Sequence, residues 1–263
     1  MGLSNRQLKH LSSLSRKKFR REHGQCVIEG VRLCEEILRS DWPLREMYYT
    51  GDFAERDDSE VLFGVAGEKH LNPTEISSHE MQKITNTEHP QGVAVLADIP
   101  DRPDFEPEPD WHPEILLLDG ISDPGNFGTL LRSADWFGVR EILAGPGSVE
   151  WTNPKVMRAS MGAVFRVTVL EINDWFPVLA QLRNTSYSIF TADMDGVGVN
   201  QISREELHQP WALVLGNEAH GVSVSLGQSA NKKLTIPGDG PADSLNVAMA
   251  GTVLLYALTA IET

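Results

Sequence analysis

The 263-residue sequence has few cysteines and no long hydrophobic segment. Two cysteines, Cys26 and Cys34, are too few for a disulfide scaffold or a cysteine-built zinc site, and they fit a reducing cytosol. No apolar run approaches the roughly 20 residues of a membrane-spanning helix, and residues 1–10 lack the apolar core of a secretory signal. We therefore expect a cytoplasmic protein without a membrane segment.

Positive charge is also scarce, because 23 Lys and Arg stand against 37 Asp and Glu. The resulting net charge of −14, taken alone, argues against a nucleic-acid partner, which requires a positive surface. The charge is uneven, however, since residues 1–24 contain seven Lys or Arg and a single acid, Glu22. A phosphate-binding surface is one interpretation of this segment, and a solvated helix face is the other.

Proline and acidic residues are concentrated in one segment. From Asp98 to Glu114 the chain contains five prolines and seven acids. Proline favours extended backbone and like charges repel each other. We therefore predict a linker, 98–113, between an N-terminal domain, 1–97, and a C-terminal domain, 114–263; a long surface loop within one domain is the alternative.

The apolar periodicity differs on the two sides of this segment. Before it, we predict a small α/β domain with helices Asn5–Ser15 and Gly30–Ser40 and strands Cys26–Glu29, Val61–Val65 and Val93–Asp98. After it, short apolar strands alternate with helices. The predicted strands there are Ile115–Leu118, Glu141–Ala144, Arg166–Ile172, Ser188–Thr191, Leu213–Leu215 and Lys233–Ile236, and the helices are Asn126–Phe137, Pro154–Val164, Asp174–Arg183 and Ser244–Ile261. This alternation predicts a parallel sheet covered by helices, with ligands bound at the carboxyl ends of its strands.

Three loops that follow predicted strands contain the polar residues best placed for chemistry. In the first, Arg132 lies among apolar neighbours, where a guanidinium could receive a phosphate. A plain turn with Asn126 as the helix cap is the alternative. In the second, Gly216 and Gly221 have the glycine spacing of a P-loop, but Val222 replaces its lysine, which disfavours a nucleotide hydrolase.

The third loop leads into the last predicted helix, which Asp243 or Ser244 could cap. Capping does not explain Asn246, which we expect inside that helix, where asparagine is mildly unfavourable. His220, in the second loop, could be a general base, but a lone loop histidine is more often solvated. No metal-binding motif, dinucleotide fingerprint or nucleophile elbow occurs, so we expect no metal.

Together, the three loops resemble the motifs of the SpoU (TrmH-like) family of RNA ribose 2′-O-methyltransferases. The matching residues are Asn126, Gly128 and Arg132 in the first motif, Gly216, Glu218 and Gly221 in the second, and Ile236, Pro237, Gly240, Ser244, Leu245 and Asn246 in the third. Residues 153–162 resemble the helix between the first two motifs. Gly238 and Ala242-Asp243 depart from the family pattern, which commonly has a methionine and an acidic pair there.

The resemblance implies a deep trefoil knot, S-adenosylmethionine as cofactor and a homodimer. Knotted chains are exceptional, and periodicity does not predict them. The resemblance assigns catalysis to Asn126, Arg132, Glu218, Ser244 and Asn246. It assigns cofactor binding to Thr191, Ala192, Leu215, Gly216, Asn217, Gly221, Ile236, Pro237 and Leu245.

The N-terminal domain, over 5–97, resembles the family's ribosomal-protein-like substrate-binding domain. We therefore expect RNA binding by Arg6, Lys9, Arg16, Lys17, Lys18, Arg20 and Arg21, with Arg158 contributing from the second domain. Ribosomal RNA, most specifically 23S rRNA, is favoured over tRNA. An RNA-binding member without catalysis and a small-molecule enzyme on the same sheet are the alternatives.

Overall fold

The computed structural model describes residues 2–102, 104–108, 112–207, 209–240 and 244–260. Its contacts divide the chain into two compact units, residues 1–101 with 152–165 and residues 102–151 with 166–263. The predicted domain bounds assign 152–165 to the C-terminal domain, whereas the contacts join this segment to the first unit. The bounds 1–97 and 114–263 stay a prediction.

The first unit has a four-stranded sheet in the order β1-β4-β2-β3. Strands β1 and β2 pair antiparallel with β4, and β2 pairs parallel with β3. The elements are α1 (Asn5–Ser13), α2 (Lys17–His23), β1 (Gln25–Glu29), α3 (Val31–Leu38), β2 (Leu44–Tyr49), α4 (Gly51–Ala54), α5 (Asp57–Glu68), β3 (Thr74–Glu75), α6 (Ser78–Ile84) and β4 (Val93–Asp98).

The predicted strand Val61–Val65 is wrong, because these residues lie inside helix α5. Leu62, Val65 and Ala66 are buried at helical spacing. Acidic residues in the first turn also favour a helix, since they interact with its positive N-terminal end. Short runs of valine and phenylalanine are therefore ambiguous until their burial pattern is known.

The second unit contains a six-stranded sheet in the order β10-β8-β9-β5-β6-β7, and every adjacent pair is parallel. The predicted α/β class with a parallel sheet is thereby confirmed, while the knot stays a prediction. The elements after residue 112 are β5 (Glu114–Asp119), α7 (Pro124–Trp136), β6 (Glu141–Ala144), α8 (Pro154–Ser160), β7 (Thr168–Glu171), α9 (Trp175–Asn184), β8 (Ser188–Gly198), α10 (Arg204–Leu207), β9 (Trp211–Gly216), α11 (Val224–Ser229), β10 (Lys232–Thr235) and α12 (Val247–Ala260); α8 belongs to the first unit.

Strands β5 and β9 form the centre of this sheet, and their residues are almost entirely buried. Ile115 and Leu117 join the apolar core on one face with α9, while helices α7 and α12 pack together. Burial on both faces explains why these strands are continuous apolar runs. Over the described ranges, every helix is too short or too polar to cross a lipid bilayer.

Candidate active site

The three loops with the polar residues meet at the carboxyl edge of the parallel sheet. Strand β5 lies beside β9, with Asp119 opposite Gly216 in register, and β8 and β10 follow on the same side. Parallel strands end at a common edge, so the loops after β5, β9 and β10 are neighbours. Brought together in this way, residues distant in sequence can form one site.

A chain of two hydrogen bonds joins the three loops through Asn126. The Asn126 side-chain amide donates to Glu218 Oε1 at 2.5 Å. Asn246 Nδ2 in turn donates to Asn126 Oδ1 at 3.0 Å. Each predicted motif thus contributes one side chain, and Asn126, partly exposed to solvent, lies in the middle.

Helices α7 and α12 begin at other residues than predicted, and this leaves the side-chain amides of Asn126 and Asn246 available for these hydrogen bonds. Helix α7 begins at Pro124, and its cap is Asp123, whose Oδ1 accepts from the Asn126 N–H at 2.8 Å. Asn126 is therefore not the cap, and its amide can bind Glu218 instead. Pro124 and Gly125 form the first helical turn rather than a reversal of the chain.

Asn246 lies immediately before helix α12, not inside it as predicted. Its Oδ1 accepts from the backbone N–H groups of Ala248 at 2.9 Å and Met249 at 3.4 Å. Asn246 therefore caps the helix with its oxygen and binds Asn126 with its nitrogen. Ser244 is exposed and precedes the helix by three residues, and Asp243 lies outside the described residues.

The loop that carries Glu218 is held by Asn217. The Asn217 side chain donates to the Gly120 carbonyl at 2.8 Å and accepts from the Ala219 N–H at 2.9 Å. Its backbone also exchanges two hydrogen bonds with Gly221. A Cβ on Gly216 would lie 2.3 Å from the Gly221 carbonyl carbon, so the loop can close this tightly only over a glycine.

Arg132 is exposed on helix α7, while Leu130, Leu131 and Ala134 are buried on its inner face. Arg132 therefore does not lie within the apolar surroundings that the sequence suggested. Among the described residues it has no hydrogen-bond or ion-pair partner, so no hydrogen bond joins it to Asn126. Its guanidinium donors are thus available to an anionic ligand.

Most residues predicted to bind the cofactor lie within or directly after three adjacent strands. Strand β8 continues to Gly198, so Thr191 does not end it as predicted. Thr191 lies within β8, Leu215 and Gly216 end β9, and Ile236 and Pro237 follow β10. Thr191 is 1% exposed, and its hydroxyl has no hydrogen-bond partner among the described residues. Buried hydroxyl groups are normally paired, so this unpaired one fits a site that receives a polar ligand atom.

Comparison with known proteins shows the family to which this chain belongs. The chain matches the SpoU rRNA Methylase family over residues 113–256, more than half of its length, and an MRM3-like substrate binding domain over residues 5–95. The chain belongs to the SpoU rRNA methylase family. Both resemblances stated from the sequence are thereby confirmed.

Full-length relatives of this SpoU-family chain are also known. It is 30% identical to the 23S rRNA (guanosine(2553)-2′-O)-methyltransferase RlmP of Bacillus subtilis, over 97% of this chain and 96% of the relative. A TrmH-family structure from Porphyromonas gingivalis is 33% identical, with a TM-score of 0.84 over 98% of both chains. An AdoMet-bound rRNA methyltransferase structure from Sinorhizobium meliloti is 25% identical, with a TM-score of 0.81 over 98% of this chain and 95% of that one.

In the first unit of this SpoU-family chain, one of the predicted RNA-binding residues is used inside the fold. Arg20 is 2% exposed, and its Nη1 donates to the carbonyl oxygens of Leu14 and Ser15 at 2.9 Å each. We therefore correct the prediction for Arg20, because a buried guanidinium that stabilises the backbone cannot reach a phosphate. The exposed cations of the segment are Arg6, Lys9, Arg16, Lys17, Lys18 and Arg21.

Arg158 is also engaged within the protein. It forms an ion pair with Glu29, which is 7% exposed and whose second oxygen accepts from the Asn86 N–H at 2.7 Å. This pair attaches helix α8 to strand β1, consistent with the place of residues 152–165 in the first unit. RNA binding by Arg158 stays a prediction, and its observed partner is a carboxylate.

Two residues of the site escaped the sequence analysis. Asp123 caps α7, and its signal was the acid immediately before Pro124 at the predicted turn. Asp119 ends strand β5 and is buried. The signal for Asp119 was an acid directly after four apolar residues, at the mouth of a strand whose faces are both covered.

Proposed function

We propose that this protein transfers the methyl group of S-adenosylmethionine to a ribose 2′-hydroxyl of 23S ribosomal RNA. The observation that carries the proposal is the Glu218–Asn126–Asn246 chain, formed at the ligand-binding edge of the sheet in a member of the SpoU rRNA methylase family. The Bacillus subtilis relative, a 23S rRNA 2′-O-methyltransferase of nearly equal extent, supports ribosomal RNA as the substrate.

The residues at the ends of β8, β9 and β10 fit S-adenosylmethionine. The buried, unpaired hydroxyl of Thr191 can bond to a polar group of the cofactor, and Gly216 lets backbone approach it closely. The AdoMet-bound structure from Sinorhizobium meliloti has the same fold. The residues that would hold the cofactor are Thr191, Ala192, Leu215, Gly216, Asn217, Gly221, Ile236, Pro237 and Leu245.

When bound, S-adenosylmethionine supplies an electrophilic methyl group on its sulfonium; the other tasks belong to side chains of this protein. A ribose hydroxyl is a poor nucleophile until it loses its proton, which would pass to water or to a phosphate of the RNA. The site must orient the hydroxyl and stabilise the negative charge that develops. We assign this to Arg132, because a guanidinium stays protonated and donates in a fixed fork. Glu218 and Asn246 hold Asn126 in position, and Ser244 contacts substrate.

The exposed cations of α1 and α2 are the proposed RNA-binding surface. Deleting residues 1–21 would be an unclear test, because Leu11 and Leu14 belong to the core of the first unit. We expect the double variant Lys17→Gln, Lys18→Gln to weaken rRNA binding. The slope of the logarithm of the binding constant against the logarithm of the salt concentration should fall by up to about 2, which is about 1 for each phosphate that is no longer neutralised. Lys69→Gln, an exposed lysine elsewhere in the unit, is the control; an unchanged slope in the double variant contradicts the prediction.

A homodimer and a cytoplasmic location are parts of the same proposal. Helices α7 and α12, which pack together, expose Trp136, Met249 and Tyr256 to 83%, 64% and 60%. Exposed apolar groups of this size mark an association surface. Light scattering is expected to give twice the 29.1 kDa chain mass. Both cysteines are free and buried, which fits a reducing compartment.

The decisive experiment is methyl transfer to defined RNAs. Purified protein, labelled S-adenosylmethionine and 23S rRNA from cells lacking the gene should give 2′-O-methylation at one nucleotide, and 2′-deoxy substitution there should abolish it. Total tRNA from the same cells is the comparison. Methylation of tRNA alone would reject the rRNA substrate. RNA binding without transfer, despite cofactor binding, would identify an inactive RNA-binding member.

A further inference from the structure

Asp119 is a buried carboxylate that accepts one hydrogen bond from the start of helix α9 and one from the loop before α11. It is 8% exposed at the carboxyl end of β5. Oδ1 accepts from Trp175 Nε1 at 2.9 Å, and Oδ2 accepts from the Ser223 backbone N–H at 2.7 Å. Two hydrogen bonds to one side chain can fix the start of α9 and the loop that contains Ser223 relative to the sheet.

The position of the Trp175 donor is itself set by packing. Trp175 is the first residue of α9 and is 5% exposed. A Cβ on Gly145, at the end of β6, would lie 2.1 Å from Trp175 Cζ2, so the indole ring occupies the space of the missing side chain. The ring therefore cannot rotate away from Asp119 without opening this contact.

The Ser223 donor lies at the far end of the loop that carries Glu218. The near end is held by Asn217, whose amide donates to the carbonyl of Gly120, the residue after Asp119. Both ends of the loop 217–223 are thus attached to the end of β5. From this fixed loop Glu218 reaches Asn126.

We propose that Asp119 is a positioning residue for Glu218. By holding Ser223 and Trp175, it fixes the loop 217–223 and thereby the place of the Glu218 carboxylate beside Asn126. The catalytic consequence rests on the proposed function, whereas the effect on the loop does not. The Asp119 side chain forms its hydrogen bonds with Trp175 and Ser223, and neither residue is assigned to substrate or cofactor.

The test is Asp119→Asn, which keeps the size of the side chain but sets an NH2 group against one of two N–H donors. We expect faster hydrogen–deuterium exchange of the amides in 217–223, with exchange in β5 and β9 unchanged. We expect the kcat of methyl transfer to fall by about tenfold to a hundredfold, because a small displacement of a group in an active site lowers the rate by about this much. In a Glu218→Gln background, Asp119→Asn should add less than a further twofold.

A second variant tests the assigned donors. Adding Trp175→Phe to Asp119→Asn removes the indole N–H, so the new amide can accept from Ser223 without a donor clash, and loop exchange should return towards wild type. Trp175→Phe alone should increase loop exchange less than Asp119→Asn does. If Asp119→Asn fails to fold, Trp175→Phe is the variant that tests the proposal. Unchanged loop exchange in either single variant, or multiplicative losses of kcat with Glu218→Gln, would overturn the proposal. A loosened loop in a protein whose wild type methylates no RNA would reject the proposed function but leave the anchoring role intact.

Discussion

The two edges of the six-stranded sheet present polar residues in opposite ways. At the carboxyl edge, Glu218, Asn126 and Asn246 are joined by hydrogen bonds and remain in contact with solvent. At the amino edge, Glu141 is the first residue of β6 and is only 8% exposed. One edge is therefore open to ligands, and the other encloses a charge.

The enclosed charge is strongly perturbed. Burial raises the pKa of Glu141 to about 7; nearby Arg102 opposes the shift and Glu108 adds to it. Burial also lowers the pKa of Arg102, despite the attraction of Glu141. The pKa of Tyr187 is raised to about 12, first by burial and then by the carboxylates around it. His112 lies 3.9 Å from Glu141 and completes the group.

This contrast shows what a perturbed pKa marks in this protein. Shifted groups often lie at active sites, but buried structural charges shift as well. Here the strongly raised carboxyl is at the amino edge, away from the loops that ligands use in parallel sheets. We infer that the ionisation of Glu141 affects the stability of the fold. The candidate active site works instead through the hydrogen bonds between Glu218, Asn126 and Asn246.

The largest expected effect is at the carboxyl edge. Arg132→Ala should lower kcat for methyl transfer by about a hundredfold to a thousandfold, the usual loss when a donor to a developing anion is removed. The unfolding midpoint and cofactor affinity should stay unchanged, because Arg132 is exposed and forms no hydrogen bond or ion pair with the described residues. Arg183→Ala, an exposed arginine on α9, is the control. Full activity of Arg132→Ala with normal cofactor binding would reject its role.

The amino edge should respond in stability rather than activity. The folded pKa of Glu141, about 7, lies above its ordinary value of 4.5, so its contribution to folding is complete below 4.5 and is lost as pH rises through 7. The loss reaches up to about 3 kcal/mol. Glu141→Gln removes this ionisation and should be more stable than wild type above pH 7, with no difference below 4.5.

Urea unfolding at pH 5, 7 and 8.5 measures this difference, and methyl transfer should be unaffected throughout. Glu171→Gln provides a matched control, because Glu171 is an exposed glutamate at the opposite end of a neighbouring strand. Surface substitutions of this kind change stability by less than about 0.5 kcal/mol. A stability gain that does not grow between pH 5 and 8.5 would mean that Glu141 is not a buried charge.

The sequence predicted one edge well and the other not at all. Strand Glu141–Ala144 was predicted with its observed bounds, yet nothing local indicated that Glu141 is buried. The groups that interact with Glu141 come from the acidic segment and from Tyr187, just before β8, and only the tertiary fold brings them together. Periodicity reports which face of an element is apolar, but not which distant charge covers it.

At the carboxyl edge, the motif residues Asn126, Glu218 and Asn246 were all named from the sequence. Their connection was not, because it depends on where two helices begin. Asp123, rather than Asn126, caps α7, and Asn246 caps α12 instead of lying within it. The observed helix starts lie two and three residues from the predicted ones, and these shifts decide which amide groups are available.

Asn126→Asp tests the hydrogen bond that joins two loops of the carboxyl edge, and we expect it to have a modest effect. Asn126→Asp keeps the acceptor for Asn246 but replaces the donor to Glu218 with a second carboxylate, so the two charges repel. We expect kcat to fall by about tenfold, equivalent to about 1.4 kcal/mol. Adding Glu218→Gln to Asn126→Asp lets the glutamine amide donate to the new aspartate. We expect the kcat of this double variant to return to near that of Glu218→Gln alone. Because the restored bond runs in the opposite direction, recovery would show that the site requires the connection between the two loops. If the paired variant were no better than Asn126→Asp alone, the Glu218 carboxylate itself would be required, and the hydrogen bond would be secondary.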